Sequence, residues 1–303
     1  MRILDLVRPK ELSRVASLQL LAKEIVEGYC SGKHRSPHKG FSVEFKEHRQ
    51  YVPGDELKNI DWQVFAKSDR LFIRQYEEET NLRCTLLVDQ SGSMAYAGKA
   101  KGEPDRLSKR DYAVRLAASM SYFMLGQQDP VGLITFDHTI RQEVPLRSRA
   151  SHLRALLTAL VADSTRNESD LGSVFRQIVP KLGRRGLVVI LSDSMGDPAS
   201  ISRALAQLRA KRHEVIFFQI LDPDEVEFPF SGRVQFRDLE EALPDQTLDA
   251  ASFADVYRQR LEEHNEAIRL ACRRSRVDLI PVTTDRPFED VLHEYVAARR
   301  RIR

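Results

Sequence analysis

The sequence predicts an α/β fold: a mostly parallel sheet with helices on both faces, preceded by a helix and a small β embellishment. Short apolar runs alternate with helical stretches from residue 84 onward, a rhythm that needs crossover connections and gives parallel strands. Two of those runs, LVVIL at 187–191 and VIFFQIL at 215–221, are near-continuously apolar, as strands covered on both faces must be.

Each element follows in order. Leu12, Val15, Leu18, Leu21, Ala22, Ile25, Val26 and Tyr29 recur at helical spacing and give an amphipathic helix that docks on the body. Alternation at Phe41, Val43 and Phe45, and again at Leu71 and Ile73, predicts two strands on either side of the turn at Pro53, Gly54 and Asp55. Strands are then expected at 84–88, 131–136, 140–144, 187–191, 214–221 and 277–282. Helices are expected near 111–125, 151–161, 171–182, 199–211, 254–274 and 288–300. Between 222 and 252 the rhythm breaks, and EVEFPFSGRVQFRDLEE reads as a hairpin turning at Ser231 and Gly232. Residues 1–79 thus form an N-terminal helix and β module, and residues 80–303 a Rossmann-like domain with a hairpin insertion near 222–252.

Composition excludes several classes. With 42% hydrophobic and 30% charged residues, the 303-residue chain reads as a globular protein with a sizeable core. A formal charge of +3 gives no electrostatic footprint for nucleic acid. Arg299, Arg300, Arg301 and Arg303 cluster at a helix end, where cations meet the macrodipole favourably. Cys30, Cys84 and Cys272 are widely spaced, odd in number and without a CxxC pair, which argues against a disulfide framework or a zinc site and for a reducing compartment. The N-terminus lacks a signal-peptide core and no apolar run reaches membrane-spanning length, so the expectation is a cytoplasmic chain without a transmembrane segment.

The segment LLVDQSGSM delivers one carboxylate and two hydroxyls, Asp89, Ser91 and Ser93, onto one tight loop after a strand. Mg²⁺ takes about six oxygens and keeps waters or ligand oxygens in some positions, so alternate loop oxygens suit it. Asp and Ser also dominate turns and helix caps, so the loop alone leaves both readings open. Two further junctions reach the same sheet edge: NESDL before the helix at 171, with Ser169, and LSDS after the strand at 187–191, with Asp193.

A strand, a DxSxS loop, a later loop hydroxyl and an Asp after the next parallel strand resemble the von Willebrand factor A domain and its metal-ion-dependent adhesion site. The resemblance assigns Asp89, Ser91, Ser93, Ser169 and Asp193 as ligands of Mg²⁺ or Mn²⁺, with a partner's acidic side chain completing the shell. Ser169 stands where that family has Thr, and Ser194 where Gly commonly follows the aspartate.

A narrower resemblance covers nearly the whole chain. Gly40, Glu44, Phe45, Arg49, Tyr51, Pro53, Gly54, Asp55, Ile60, Asp61 and Trp62, with VRLAASM, VGLITF and the late CRRSRVDLIPVTTDRPFEDVL, are similar to the domain of unknown function 58 family. That resemblance implies a von Willebrand A-type fold and partnership with a MoxR-type AAA+ ATPase or its client, in a chaperone-like or complex-maturation role. Within the signature, Trp62 is expected to pack as an anchor, and His34, His38, His48, Asp55 and Asp61 read as surface or turn groups rather than a catalytic set.

Catalytic signatures are weak. The segment GYCSGKH at 28–34 is one residue short of a phosphate-cradling loop and follows a helix, and HExxH, GxSxG and GxGxxG are missing from the sequence. The reading is therefore a non-enzymatic, metal-dependent interaction protein. The alternative is a magnesium-dependent phosphotransferase or phosphohydrolase using Asp89 and Asp193, with Lys99, Lys101, Arg106 and Lys109 as candidate clamps in a polar loop without fixed geometry. That loop, 95–109, is long enough to gate or border a partner surface.

Overall fold

A computed structural model describes residues 9–32, 45–52, 60–76, 83–98, 106–162, 171–183, 185–237, 239 and 244–301. The chain divides into two compact units, one of Met1–His34 with Leu82–Arg303 and one of Arg35–Asn81. In order, the elements are α1 (Pro9–Gly32), β1 (Phe45–Gln50), α2 (Trp62–Ser68), β2 (Phe72–Tyr76), β3 (Cys84–Asp89), α3 (Lys109–Gly126), β4 (Val131–Phe136) and β5 (Ile140–Arg147). There follow α4 (Leu153–Leu160), α5 (Leu171–Lys181), β6 (Leu187–Ser192), α6 (Pro198–Ala210), β7 (Glu214–Leu221) and α7 (Pro223–Glu227). The chain closes with β8 (Arg233–Phe236), β9 (Gln246–Asp249), α8 (Ala250–Arg274), β10 (Asp278–Thr283) and α9 (Phe288–Arg301).

The larger unit is built on a six-stranded sheet in the order β10-β7-β6-β3-β4-β5, parallel throughout except for the edge strand β5. β5 must run back along β4 because only three residues separate them, and Asp137 closes that turn by accepting the Thr139 N–H at 3.0 Å. Alternate residues of each inner strand face opposite layers. Leu86, Val88, Leu133, Val189, Leu191, Ile216 and Phe218 meet one core, which also takes α1, α3, α4 and α9. Leu87, Ile134, Phe136, Val188, Ile190, Val215 and Phe217 meet the other, under α5, α6 and α8. This is the von Willebrand A-like, Rossmann-like architecture expected of the sequence. α1 docks through Val15, Leu18, Ala22, Ile25 and Val26 onto α3, α4 and α9, so it belongs to the larger unit although the β module follows it in sequence.

β3 and β6 lie side by side where the strand order reverses, and their carboxyl ends open the crevice in which open α/β sheets place ligands. Among the described residues, no helix is long and apolar enough to cross a membrane.

In the smaller unit β1 pairs antiparallel with β2, and α2 stands between them in sequence, an element the alternation pattern missed. Asp61 starts α2, its carboxylate accepting the Gln63 and Val64 N–H groups at 3.0 and 3.3 Å. Trp62 is not a packed anchor. It is 61% exposed and meets Phe65 edge to face at 6.1 Å, because it opens a helix that buries no side chain, while the residue buried there is Asp61. The turn at Pro53, Gly54 and Asp55, the strand residues Phe41 and Val43, and His34 and His38 lie outside the described residues.

The hairpin insertion is shifted from its expected place. Residues Pro223–Glu227 form α7 rather than a strand, because Asp222 and Glu225 make a reciprocal capping box with Pro223 at the first helical position. The strands that pair are β8 and β9, with Arg233 opposite Asp249, so Ser231 and Gly232 precede the hairpin instead of turning it.

Candidate functional site

Asp89 ends β3 and Asp193 follows β6, so the switch point holds two fully buried carboxylates side by side. The loop after β3 folds back by local bonds: Asp89 Oδ1 accepts the Ser91 N–H at 2.9 Å, and the Ser91 and Ser93 hydroxyls lie 3.1 Å apart. Ser192 donates its hydroxyl to Asp89 Oδ2 at 2.6 Å, joining the ends of the two strands. Sequence reasoning missed Ser192, although its place just before Asp193 at a strand end was a usable signal. Of the expected ligands, Asp89, Ser91, Ser93 and Asp193 come together here, and Ser93 is the half-buried member through which the cluster reaches solvent. Ser169 lies outside the described residues.

The cation in this cluster is Lys109. Expected in a loop without fixed geometry, it is the first residue of α3 and wholly buried, donating to Asp193 Oδ2 at 2.8 Å and to Glu225 Oε1 at 2.6 Å. Burial opposes the ammonium, but Asp193 and Glu225 hold its pKa above the ordinary lysine value. Burial likewise works against the Asp193 carboxylate, yet Lys109, with hydrogen bonds from the Met195 N–H and Ser93, keeps it below the usual range. Among the described residues, none gives Asp89 such a counter-charge. Burial and then the neighbouring Asp193 charge push it up to about 7, against the hydrogen bonds from Ser192 and Ser91. Burial also raises Glu225. Asp193 and Glu225 thus share one ammonium while Asp89 lies beside Asp193, an arrangement with room for a further positive charge.

The loop that presents Asp193 is held from three sides. Ser194 adopts left-handed backbone, φ 59°, a conformation that favours glycine. Its N–H donates to Ser192 Oγ at 3.0 Å, its hydroxyl accepts from Gln219 of β7 at 2.9 Å, and its carbonyl lies 2.8 Å from His264 Nε2 on α8.

Beside it lies a second charged network. Asp222, fully buried after β7, accepts from the Gly98 N–H (3.0 Å), Arg106 Nη1 (3.1 Å), the Asp224 N–H (2.8 Å) and the Thr284 hydroxyl (3.2 Å). Arg106 also reaches Asp224 at 2.9 Å. Glu225 connects the networks: Oε2 accepts the Asp222 N–H at 2.8 Å while Oε1 holds Lys109. Both described flanks of the 95–109 loop are therefore fixed, and Lys99 and Lys101 lie outside the described residues. Position 98 is tight: a Cβ there would force the side-chain ends of Asp222, Asp224 and Arg106 to shift out of their shared network. Gly98→Ala is expected to destabilise the chain by about 1–3 kcal/mol in urea denaturation, and an unchanged midpoint would show that this segment is free to shift.

The donor set is hard oxygen. Among the described residues, no cluster of three or more His, Cys, Asp or Glu could hold a metal ion, so an ion at this edge must use the hydroxyls of Ser91 and Ser93 beside Asp89 and Asp193. Such neutral and anionic oxygens fit Mg²⁺ or Mn²⁺. Cys84 and Cys272 are buried thiols in the two cores, with burial pushing Cys272 up to about 12.

The chain is 29% identical over 300 residues to "Uncharacterized protein Mb1516" of Mycobacterium bovis and to "Uncharacterized protein Rv1480" of Mycobacterium tuberculosis, covering 98% of this chain and 92% of each relative. Among solved structures, BatB from Bacteroides thetaiotaomicron is similar at 15% identity and a TM-score of 0.47, over 71% of this chain and 97% of that one. The SpRpn10 VWA domain is similar at 12% identity and a TM-score of 0.40, over 70% and 95%. The profile described as "Protein of unknown function DUF58" matches residues 47–269, well over half of the sequence, and the chain belongs to that family.

Proposed function

We propose that the protein is a non-enzymatic interaction module whose sheet edge binds a divalent cation and, through it, an acidic side chain of a protein partner. The observation that carries this is the buried pair Asp89 and Asp193 at the switch point, with two serine hydroxyls beside it and, among the described residues, no counter-charge to Asp89. Asp89, Ser91, Ser93 and Asp193 would hold Mg²⁺ or Mn²⁺, with Ser169 as the fifth ligand implied by the family resemblance. The bound ion would offer a Lewis-acid position to an incoming carboxylate, and the protein's own part is to fix the oxygens and keep bulk water out. The proposed partner is a MoxR-type AAA+ ATPase or its client, in a cytoplasmic complex-maturation role.

Phosphoryl chemistry is the weaker reading. Lys109, the cation nearest the carboxylates, is buried and already bonded to Asp193 and Glu225, and Arg106 is committed to Asp222 and Asp224. Neither is presented to a substrate as a clamp.

The test is calorimetric titration of the full chain with Mg²⁺ and Mn²⁺, beside a Ser91→Ala, Ser93→Ala double variant. Binding by the wild type, weakened about tenfold or more in the double variant, is expected from the loss of two ligands. Equal binding by both removes the site assignment. Capture of an AAA+ ATPase that survives a chelator unchanged removes the metal from the interaction.

A further inference from the structure

Lys109 occupies a place that the metal reading does not explain. An ammonium at the N-terminus of a helix opposes the macrodipole, and a wholly buried lysine loses the hydration that a surface position would keep. Its donors go to two carboxylates that differ in kind. Asp193 is a proposed ligand with no exposed surface, whereas Glu225 lies outside the ligand set, retains 15% side-chain exposure and is fixed from behind by the Asp222 N–H. The lysine thus bridges the proposed metal site and an acceptor just beyond it.

We propose that Lys109 is a built-in counter-cation which a divalent ion displaces from Asp193, with Glu225 retaining the ammonium after the exchange. This rests on the metal reading above and specifies its regulation. Without the ion, Lys109 supplies a single positive charge and ties the start of α3 to the end of β6. With the ion, Asp193 turns from an ammonium partner into a metal ligand, and the Lys109–Glu225 pair remains. The affinity of the site for Mg²⁺ or Mn²⁺ is then set by the difference between two salt bridges as well as by the ligand oxygens. Because Lys109 lies three positions after Arg106, the exchange also puts load on the segment that Arg106 anchors at Asp222 and Asp224.

The experiment is Mn²⁺ titration of the full chain as wild type, Lys109→Met and Glu225→Gln, with ion binding read by calorimetry and folding by thermal denaturation. Lys109→Met removes the competitor and is expected to bind Mn²⁺ about tenfold or more tightly than wild type, each factor of ten being about 1.4 kcal/mol. Glu225→Gln keeps a residue that can complete the capping box but removes the anionic acceptor, so it is expected to bind about tenfold more weakly. Magnesium-titrated NMR of selectively labelled lysine adds a direct readout, since the Lys109 side-chain resonance must move as the ion binds. Wild-type binding that Lys109→Met leaves equal or weaker overturns the exchange and leaves the metal reading standing. No binding by wild type or by either variant overturns both. If Lys109→Met fails to fold, Glu225→Gln decides: affinity equal to or tighter than wild type overturns the exchange.

Discussion

Replacing Asp222 by alanine is expected to lower the unfolding free energy by about 3–5 kcal/mol, the usual cost of removing one member of a buried ion pair. Arg106 would keep Asp224 but lose its second carboxylate, with its side chain only 5% exposed. The Gly98 and Asp224 N–H groups and the Thr284 hydroxyl would lose their acceptor at the same time. Each such orphaned buried group costs about 1–3 kcal/mol, and the terms overlap because they share one carboxylate. Thermal denaturation should show a fall of roughly 10 °C, scaled from about 2–4 °C per kcal/mol for large domains. Val226→Ala, on the same short helix but 44% exposed, is the control and should change stability by no more than about 0.5 kcal/mol. Two variants of equal stability would mean that the network is ornamental.

Asp89→Asn is expected to move metal affinity and stability in opposite directions. Removing a ligand carboxylate should weaken Mn²⁺ binding by about 100-fold or more, beyond the roughly 10–100-fold typical of outer-shell losses. Without the ion, however, the same change should stabilise the protein at pH 8. Asp89 is raised from 3.8 to about 7, so the folded state holds its proton where the unfolded chain has lost it. Its contribution is fully present below about 4 and is lost as pH climbs through about 7. Glu225, also raised, adds the same sign, whereas Asp193 is lowered and titrates below this window. The ion-free wild type should therefore lose stability between about pH 4 and 7, and Asp89→Asn should lose less of it, a difference of at least about 1 kcal/mol. Mn²⁺ at 100 times the wild-type dissociation constant should return about 2.7 kcal/mol to the wild type and no more than about 0.4 kcal/mol to the variant. Parallel pH profiles for the two proteins would show that Asp89 is not the strained carboxylate.

Most of the sheet was legible because its signals are local. The apolar runs at β3, β4, β6 and β7 gave the inner strands nearly residue by residue, since strands covered on both faces tolerate few polar interruptions. α7 was misread because EVEF alternates like a strand, while the Asp222-Pro223 start and the Glu225 cap outweigh that alternation over so short a span. α2 was missed because a seven-residue helix with no buried face leaves no periodic trace. At the site, Asp89, Ser91, Ser93 and Asp193 were visible because two strand ends must meet at the switch point. Glu225 was not, and Lys109 read only as a candidate clamp in a loop without fixed geometry, since they lie 32 and 84 positions from Asp193 and only the folded sheet edge brings the three together. A basic residue after a polar loop looks solvated in sequence, and nothing local marks it as buried.

The left-handed turn at Ser194 bears on how any ligand is captured. Its N–H, hydroxyl and carbonyl are tied to β6, β7 and α8 before anything arrives, so the loop carrying Asp193 has little conformational freedom left to surrender. Capture at this edge would then be limited by stripping water from the incoming ion rather than by ordering the protein. The cost of shaping the cradle is met once, during folding, by a residue held in a conformation that most side chains avoid.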